Sequence, residues 1–205
     1  HNTTFLPAGA TAFFRRRLIE LCGLALFIGA GLYAAALVTF SVDDPSFNNV
    51  STAATTNILG PVGAHLADLS LQFIGAASAL VVLTLAAWAG RLTSHRGLPF
   101  GWIHIALLPF ATVLAAGALS GLTPIVQWGV AAGVGGVAGL LTQQGLTQAG
   151  ILIGLGANGW LAPLILGLLA MPIALFALGL SPREWRSIFA RMRWTGLFVA
   201  RAGLW

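Results

Sequence analysis

His65, Asp68 and Gln72 stand three and four residues apart, so a helix would stack them on one face, and they lie in an otherwise apolar stretch. Ionisable residues at such a place carry protons or ions when they lie inside a bilayer. Distance argues against a relay. Asp68 precedes Arg91 by 23 residues, which on a continuous helix is about 35 Å, at or beyond the far edge of a ~30 Å hydrocarbon core. His65 and Asp68 are therefore expected to form a wet interfacial pair. The other candidates for chemistry are sparse. The remaining histidines (His1, His95, His104) are too dispersed for a ligand set, Cys22 is the single cysteine, and the carboxylates Glu20, Asp43, Asp44 and Glu184 read as loop or interface residues. Cys22 reads as a small buried hydrophobe. All ten basic residues are arginine, so a phosphate-loop lysine, a Schiff base and a pyridoxal anchor are excluded. No catalytic, cofactor or metal residues are assigned.

The elements that would position these residues follow from composition. Of 205 residues, 58% are apolar and 7% charged, where a soluble domain carries about a quarter charged. With a mean hydropathy of +0.90, this is an all-α integral membrane chain. Four spans are expected, at about 18–40, 61–90, 102–122 and 160–180. The first is too apolar for too long to be a cleaved signal, although Arg15, Arg16 and Arg17 imitate one at its start. Gly60-Pro61 opens the second, with proline suited to the first turn. Trp88, Trp102 and Trp185 would mark one face of the bilayer, and Trp128 and Trp160 the other. Residues 18–180 thus read as a four-helix membrane domain, residues 1–17 as a cytoplasmic basic segment and residues 181–205 as a cytoplasmic amphipathic helix.

The segment 125–157 is apolar yet glycine-rich and interrupted by Thr142-Gln143-Gln144 and Thr147-Gln148. Parity decides its placement. With four spans, the clusters Arg15, Arg16, Arg17, then Arg91, Arg96, then Arg183, Arg186, Arg191, Arg193 and Arg201 all fall on one side, as the positive-inside rule favours. A fifth span would split them. Residues 125–157 are therefore expected to form an external-side helix pair or re-entrant element, with Val130, Val134, Val137 and Leu141 on one helical face. The pairs Gly117/Gly121, Gly129/Gly133, Gly135/Gly139 and Gly150/Gly154 have G-x-x-x-G spacing, and Gly136 joins the same surface; such faces let helices approach closely, within a subunit or between subunits.

After the last span, Ser181-Pro182-Arg183-Glu184 reads as a capping box. On the helix it would open, Trp185, Ile188, Phe189 and Met192 share one face and Arg183, Arg186, Arg191 and Arg193 the other. That is an interfacial helix with guanidinium groups toward anionic headgroups; a nucleic-acid-binding helix is the rival, less suited to an aromatic face beside a span. The chain does not start with Met and stops at Trp205 without a natural ending, so a piece of a longer protein is expected.

Four stretches carry a resemblance: Asp43-Asp44-Pro45-Ser46-Phe47; Asn57 to Asp68; Gly135-Gly136-Val137-Ala138-Gly139-Leu140-Leu141; and Gly179-Leu180-Ser181-Pro182-Arg183-Glu184-Trp185. Their order and spacing resemble the N-terminal four-helix membrane domain of the FtsK/SpoIIIE family of septal DNA translocases, over roughly residues 15 to 190. The resemblance implies a bacterial inner-membrane, multi-pass anchor at the division septum with both termini cytoplasmic. It further implies a homo-oligomer, hexameric as in the family, that meets other divisome proteins and couples cell division to chromosome segregation. The linker, the ATP-driven motor and the DNA-orienting module would follow Trp205. ATP, Mg and DNA contacts would belong to that motor, and no enzymatic activity to this segment. Two alternatives stand beside this one: a small transporter or channel subunit using His65, Asp68 and Gln72, and a division-site scaffold without a DNA role.

Overall fold

The structure is a computed structural model that describes residues 8–122, 129–155, 159–181, 183–187 and 190, and it is helical, with no strand among the described residues. The first helix, α1 (Ala8–Val38), starts earlier than hydropathy suggests, so Arg15, Arg16 and Arg17 ride on its opening turns instead of preceding it. Arg17 is bonded to Glu20 and lies over the Phe13 ring, contacts that the helical i, i+3 and i, i+4 spacings bring together.

The expected second span, 61–90, is not one helix. It divides into α2 (Gly60–Phe73), a 3-10 turn (Gly75–Ala77) and α3 (Ser78–Thr93). The cause is a close backbone approach. Gly75 adopts φ +58° and Gly136 φ +66°, a region that favours glycine. A Cβ on Gly136 would stand 2.7 Å from the Gly75 nitrogen and the Phe73 carbonyl oxygen. The Ala76 N–H donates to the Val134 carbonyl at 2.8 Å, and Ser78 Oγ donates to the Gly75 carbonyl at 2.7 Å. The broken helix thus satisfies its freed backbone groups from the segment leading into α5. The turn and α3 together give a predominantly apolar stretch of 19 residues, Gly75–Thr93, long enough to cross a bilayer.

Two further helices match their expected spans closely. Helix α4 (Gly101–Ser120) is also long enough to cross, and α6 (Leu161–Ala177) is a shorter apolar helix of 17 residues, about 26 Å long. Between them α5 (Gly136–Leu152) is a single helix. Residues 129–135 are turns, so Val130 and Val134 are buried from a loop, while Val137 and Leu141 on α5 are exposed. One continuous face across all four is thereby replaced.

Helix α1 packs along α3 and α4 along α6, while α5 lies against α4 and also reaches α2 and α6. The chain thus passes four times between two ends. The start of α1, the α3–α4 turn and the end of α6 share a basic end; α2, α5 and the loop 39–59 share the opposite, capped end. At the basic end a Cβ on Gly23 would meet Thr93 Cγ2 at 2.8 Å, which sets the closeness of α1 and α3. Buried Trp88 donates Nε1 to the Ala177 carbonyl at 2.9 Å, fastening α3 to α6; it is not a belt residue, unlike exposed Trp102 and Trp160. His104 fastens α4 to the end of α6: it is buried, stacked on Phe176, with Nδ1 2.9 Å from the Phe176 carbonyl and Nε2 3.2 Å from that of Pro99. Cys22 is exposed on α1, not buried as its type suggests.

Candidate functional site

The charged residues described at the basic end form two linked clusters. Glu20 on α1 accepts from Arg17 of its own helix at 2.6 Å and faces His95 Nε2 at 2.9 Å. Glu184 meets Arg91 NH1 at 2.5 Å and Arg96 NH1 at 2.7 Å. The capping box forms as its sequence implies: the Ser181 N–H donates to Glu184 Oε2 at 2.7 Å and the Glu184 N–H to Ser181 Oγ at 3.3 Å. What the sequence does not reveal is that the same carboxylate collects two arginines from the α3–α4 turn. The Ser181 N–H and the Arg96 guanidinium hold the Glu184 carboxyl down at about 2, against the opposing effect of burial, with Ser181 Oγ and Arg91 adding to the lowering. Arg91 also donates Nε to the Gly97 carbonyl at 3.0 Å, holding a tight turn in which His95, Gly97 and Phe100 all have positive φ. Arg15, Arg16, Arg183 and Arg186 are exposed. Arg191, Arg193 and Arg201, with Ile188, Phe189 and Met192, lie outside the residues whose side chains are described, as does Trp128.

The capped end is organised by a polar clasp. Buried Asp44 accepts from the Thr56 N–H and hydroxyl, both at 2.8 Å, and from the Asn57 N–H at 3.0 Å. The Thr56 N–H contributes most to holding its carboxyl below the usual range, against burial, with help from the Thr56 hydroxyl and the Asn57 N–H. Buried Asn57 donates Nδ2 to the carbonyls of Ala36 and Thr39 at the end of α1. Asp68 is 4% exposed, which overturns its expected wet position, and it accepts from Asn48 Nδ2 and from Gln72 Nε2, both at 2.8 Å. His65 turns away from it: Nδ1 lies 2.7 Å from the Pro61 carbonyl and the ring meets Phe47 edge-on at 4.6 Å. The expected His65–Asp68 pair is therefore replaced by two separate attachments of the loop 39–59 to α2. Asp68 does lie off the crossing helix, on α2. A cavity of about 360 Å³ opens beside it, lined among others by Asp43, Asn48, Asn49 and Gln72. Among the described residues no three His, Cys, Asp or Glu side chains stand together to hold a metal ion.

The glycine pairs divide sharply. A Cβ on Gly135 or Gly139 would overlap the Ala116 carbonyl oxygen, so α5 and its approach lie directly on the backbone of α4. At Gly117 a Cβ would meet Leu166 Cδ1 at 2.7 Å and Thr142 Cβ at 3.3 Å, and at Gly121 it would meet Pro163 Cγ at 2.6 Å, which seats α6 against α4. Gly129 makes only ordinary contact with Val42. Gly133 serves a turn with φ +74°. Gly150 and Gly154 have nothing within 4 Å, although Gly154 at φ +82° ends the helical stretch.

Such an arrangement defines a multi-pass helical membrane domain, with one basic end and one end capped by α2, α5 and an ordered loop. Residues 15–193 match the family described as the 4TM region of DNA translocase FtsK/SpoIIIE, and the chain belongs to that family. It is 36% identical to a DNA translocase FtsK of Bradyrhizobium diazoefficiens over 87% of this chain and 22% of that protein. With the FtsK of Mesorhizobium japonicum it shares 35% identity over 83% of this chain and 19% of the relative. With that of Azospirillum brasilense it shares 29% over 97% of this chain and 31% of the relative. The chain therefore spans from 19% to 31% of the length of these relatives. No solved structure matches it.

Proposed function

We propose that this chain is the membrane-anchoring and assembly domain of an FtsK-type DNA translocase, tethering an ATP-driven motor to the division septum and so coupling cell division to chromosome segregation. The observation that carries this reading is the gathering of Arg17, Arg91 and Arg96 at one end of four apolar helices, in a chain whose relatives are named DNA translocases. By the positive-inside rule that end faces the cytoplasm. The motor would be attached beyond the Glu184-capped segment, which leads away from α6 on that side. The segment itself is non-enzymatic and needs no cofactor; ATP and Mg belong to the motor, consistent with a chain that contains no lysine. The assembly is a homo-oligomer, hexameric by family likeness, in a bilayer with anionic headgroups. Other division proteins would meet the loop 39–59 and α5 from outside.

A fluorescent protein fused to the C-terminus of the chain tests this in dividing bacteria. Concentration at the constriction supports the reading. Even distribution around the cell membrane, with the fusion intact and membrane-bound, would contradict septal targeting by this domain.

A further inference from the structure

The α3–α4 turn and the segment after α6 enclose an open cleft of about 430 Å³ lined by Arg91, Arg96, Ser181, Arg183, Glu184 and Ser187. Three guanidiniums face one carboxylate, so the lining carries an excess of positive charge. Glu184 is held from both oxygens: one takes Arg91 and the Ser181 N–H, the other takes Arg96. The arginines keep donors to spare. A guanidinium has five N–H donors in a planar fork. Arg96, with its side chain 61% exposed, spends NH1 on Glu184, and Arg183 is exposed with no ion pair among the described residues. Glu184 thus acts as a fixed post that holds Arg91 and Arg96 at the cleft, leaving the exposed edge of Arg96, with exposed Arg183 also on the lining, to take a ligand's acidic oxygens.

We propose that this cleft binds the phosphate of one anionic phospholipid headgroup, with Arg96 and Arg183 as its ligands, Arg91 as the buried charge behind them and Glu184 as the positioning residue. A phosphodiester offers two unesterified oxygens of the separation that a guanidinium fork matches. The height of the cleft selects a lipid over a soluble phosphate. It lies at the end of α3, the start of α4 and just beyond α6, level with Trp102, which is 72% exposed on the first turn of α4 in the manner of an interfacial aromatic. Anionic headgroups are concentrated at that depth. The inference rests on the reading of the basic end as the cytoplasmic membrane surface.

Native mass spectrometry of the full chain released from bilayers containing phosphatidylcholine and phosphatidylglycerol tests it. The expected result is one retained phosphatidylglycerol per chain. Retention should fall roughly tenfold in Arg183→Gln and in Arg96→Gln, since each loses a charge-assisted bond, and should be unchanged in Arg186→Gln, which is exposed outside the cleft. Tryptophan fluorescence establishes folding of each variant; should Arg96→Gln loosen the turn, Arg183→Gln decides alone. Undiminished retention in Arg183→Gln overturns the proposal. So does an equal loss in Arg186→Gln, which would mean diffuse surface charge, or displacement of the lipid by millimolar inorganic phosphate, which would mean a site for free phosphate. Labelling of a cysteine at Ser94 from either side of the membrane separately reports which side the turn occupies, so failure of the lipid site and failure of the topology are told apart.

Discussion

Glu184 concentrates more of the fold than any other charged residue, because one carboxylate caps the segment after α6 and anchors the α3–α4 turn through Arg91 and Arg96. Its pKa is depressed from 4.5 to about 2, so the unfolded state binds the proton more readily than the folded one. The stabilisation is present in full above about pH 4.5 and is lost as pH falls toward about 2, with an upper limit of about 3 kcal/mol. Denaturation midpoints measured across that window should fall steeply for the wild type and more gently for Glu184→Gln, which starts lower at neutral pH; parallel curves would contradict the role given to Glu184. The capping box was legible from Ser181 and Glu184 three apart. Their link to Arg91 was not, because nothing local relates residues so distant in the chain. Asp68 teaches the same lesson: counting along a helix placed it at or beyond the edge of the hydrocarbon core, but its burial depends on Asn48, a loop residue 20 positions earlier.

At the scale of elements, hydropathy was sufficient for α1 and α4, which present apolar helices of crossing length, and it also located the shorter apolar α6. It failed at Ile74-Gly75, where one expected span is two helices. Glycine inside an apolar run carries no sign of a break, and the Val134 to Gly136 backbone that causes it lies far along the chain. Spacing alone also could not separate Gly135/Gly139, pressed on the α4 backbone, from Gly150/Gly154, which face open space. The difference is testable. Gly139→Leu should destabilise the folded chain by about 3 kcal/mol or more through overpacking, whereas Gly150→Leu should stay within roughly 0.5 kcal/mol of wild type. Unfolding titrations in mixed detergent would read both. Equal stability of the two variants would sink the account of α5 as a helix seated on α4, and a loss confined to Gly150→Leu would move the important contact to a partner subunit.

At the scale of the molecule, two helix pairs, α1 with α3 and α4 with α6, are joined at the basic end by arginine–carboxylate and tryptophan–carbonyl links and at the other by α2, α5 and the clasp of Asp44, Asn57 and Asp68. The clasp gives a physical meaning to two of the stretches that carry the family resemblance, since Asp44 and Phe47 grip Thr56, Asn57 and His65. Arginine parity, the strongest whole-chain signal, agrees with the geometry: Arg17, Arg91 and Arg96 meet carboxylates at one end. The central claim is that this end is cytoplasmic and the clasped loop external. In the Cys22→Ser background, single cysteines at Val50, fully exposed in the loop, and at Ser94, exposed at the end of α3, can be probed in intact cells with a thiol reagent that does not cross the inner membrane. Val50→Cys should label in intact cells and Ser94→Cys only after the inner membrane is opened; labelling of Ser94→Cys in intact cells, or of both positions alike, would contradict the account.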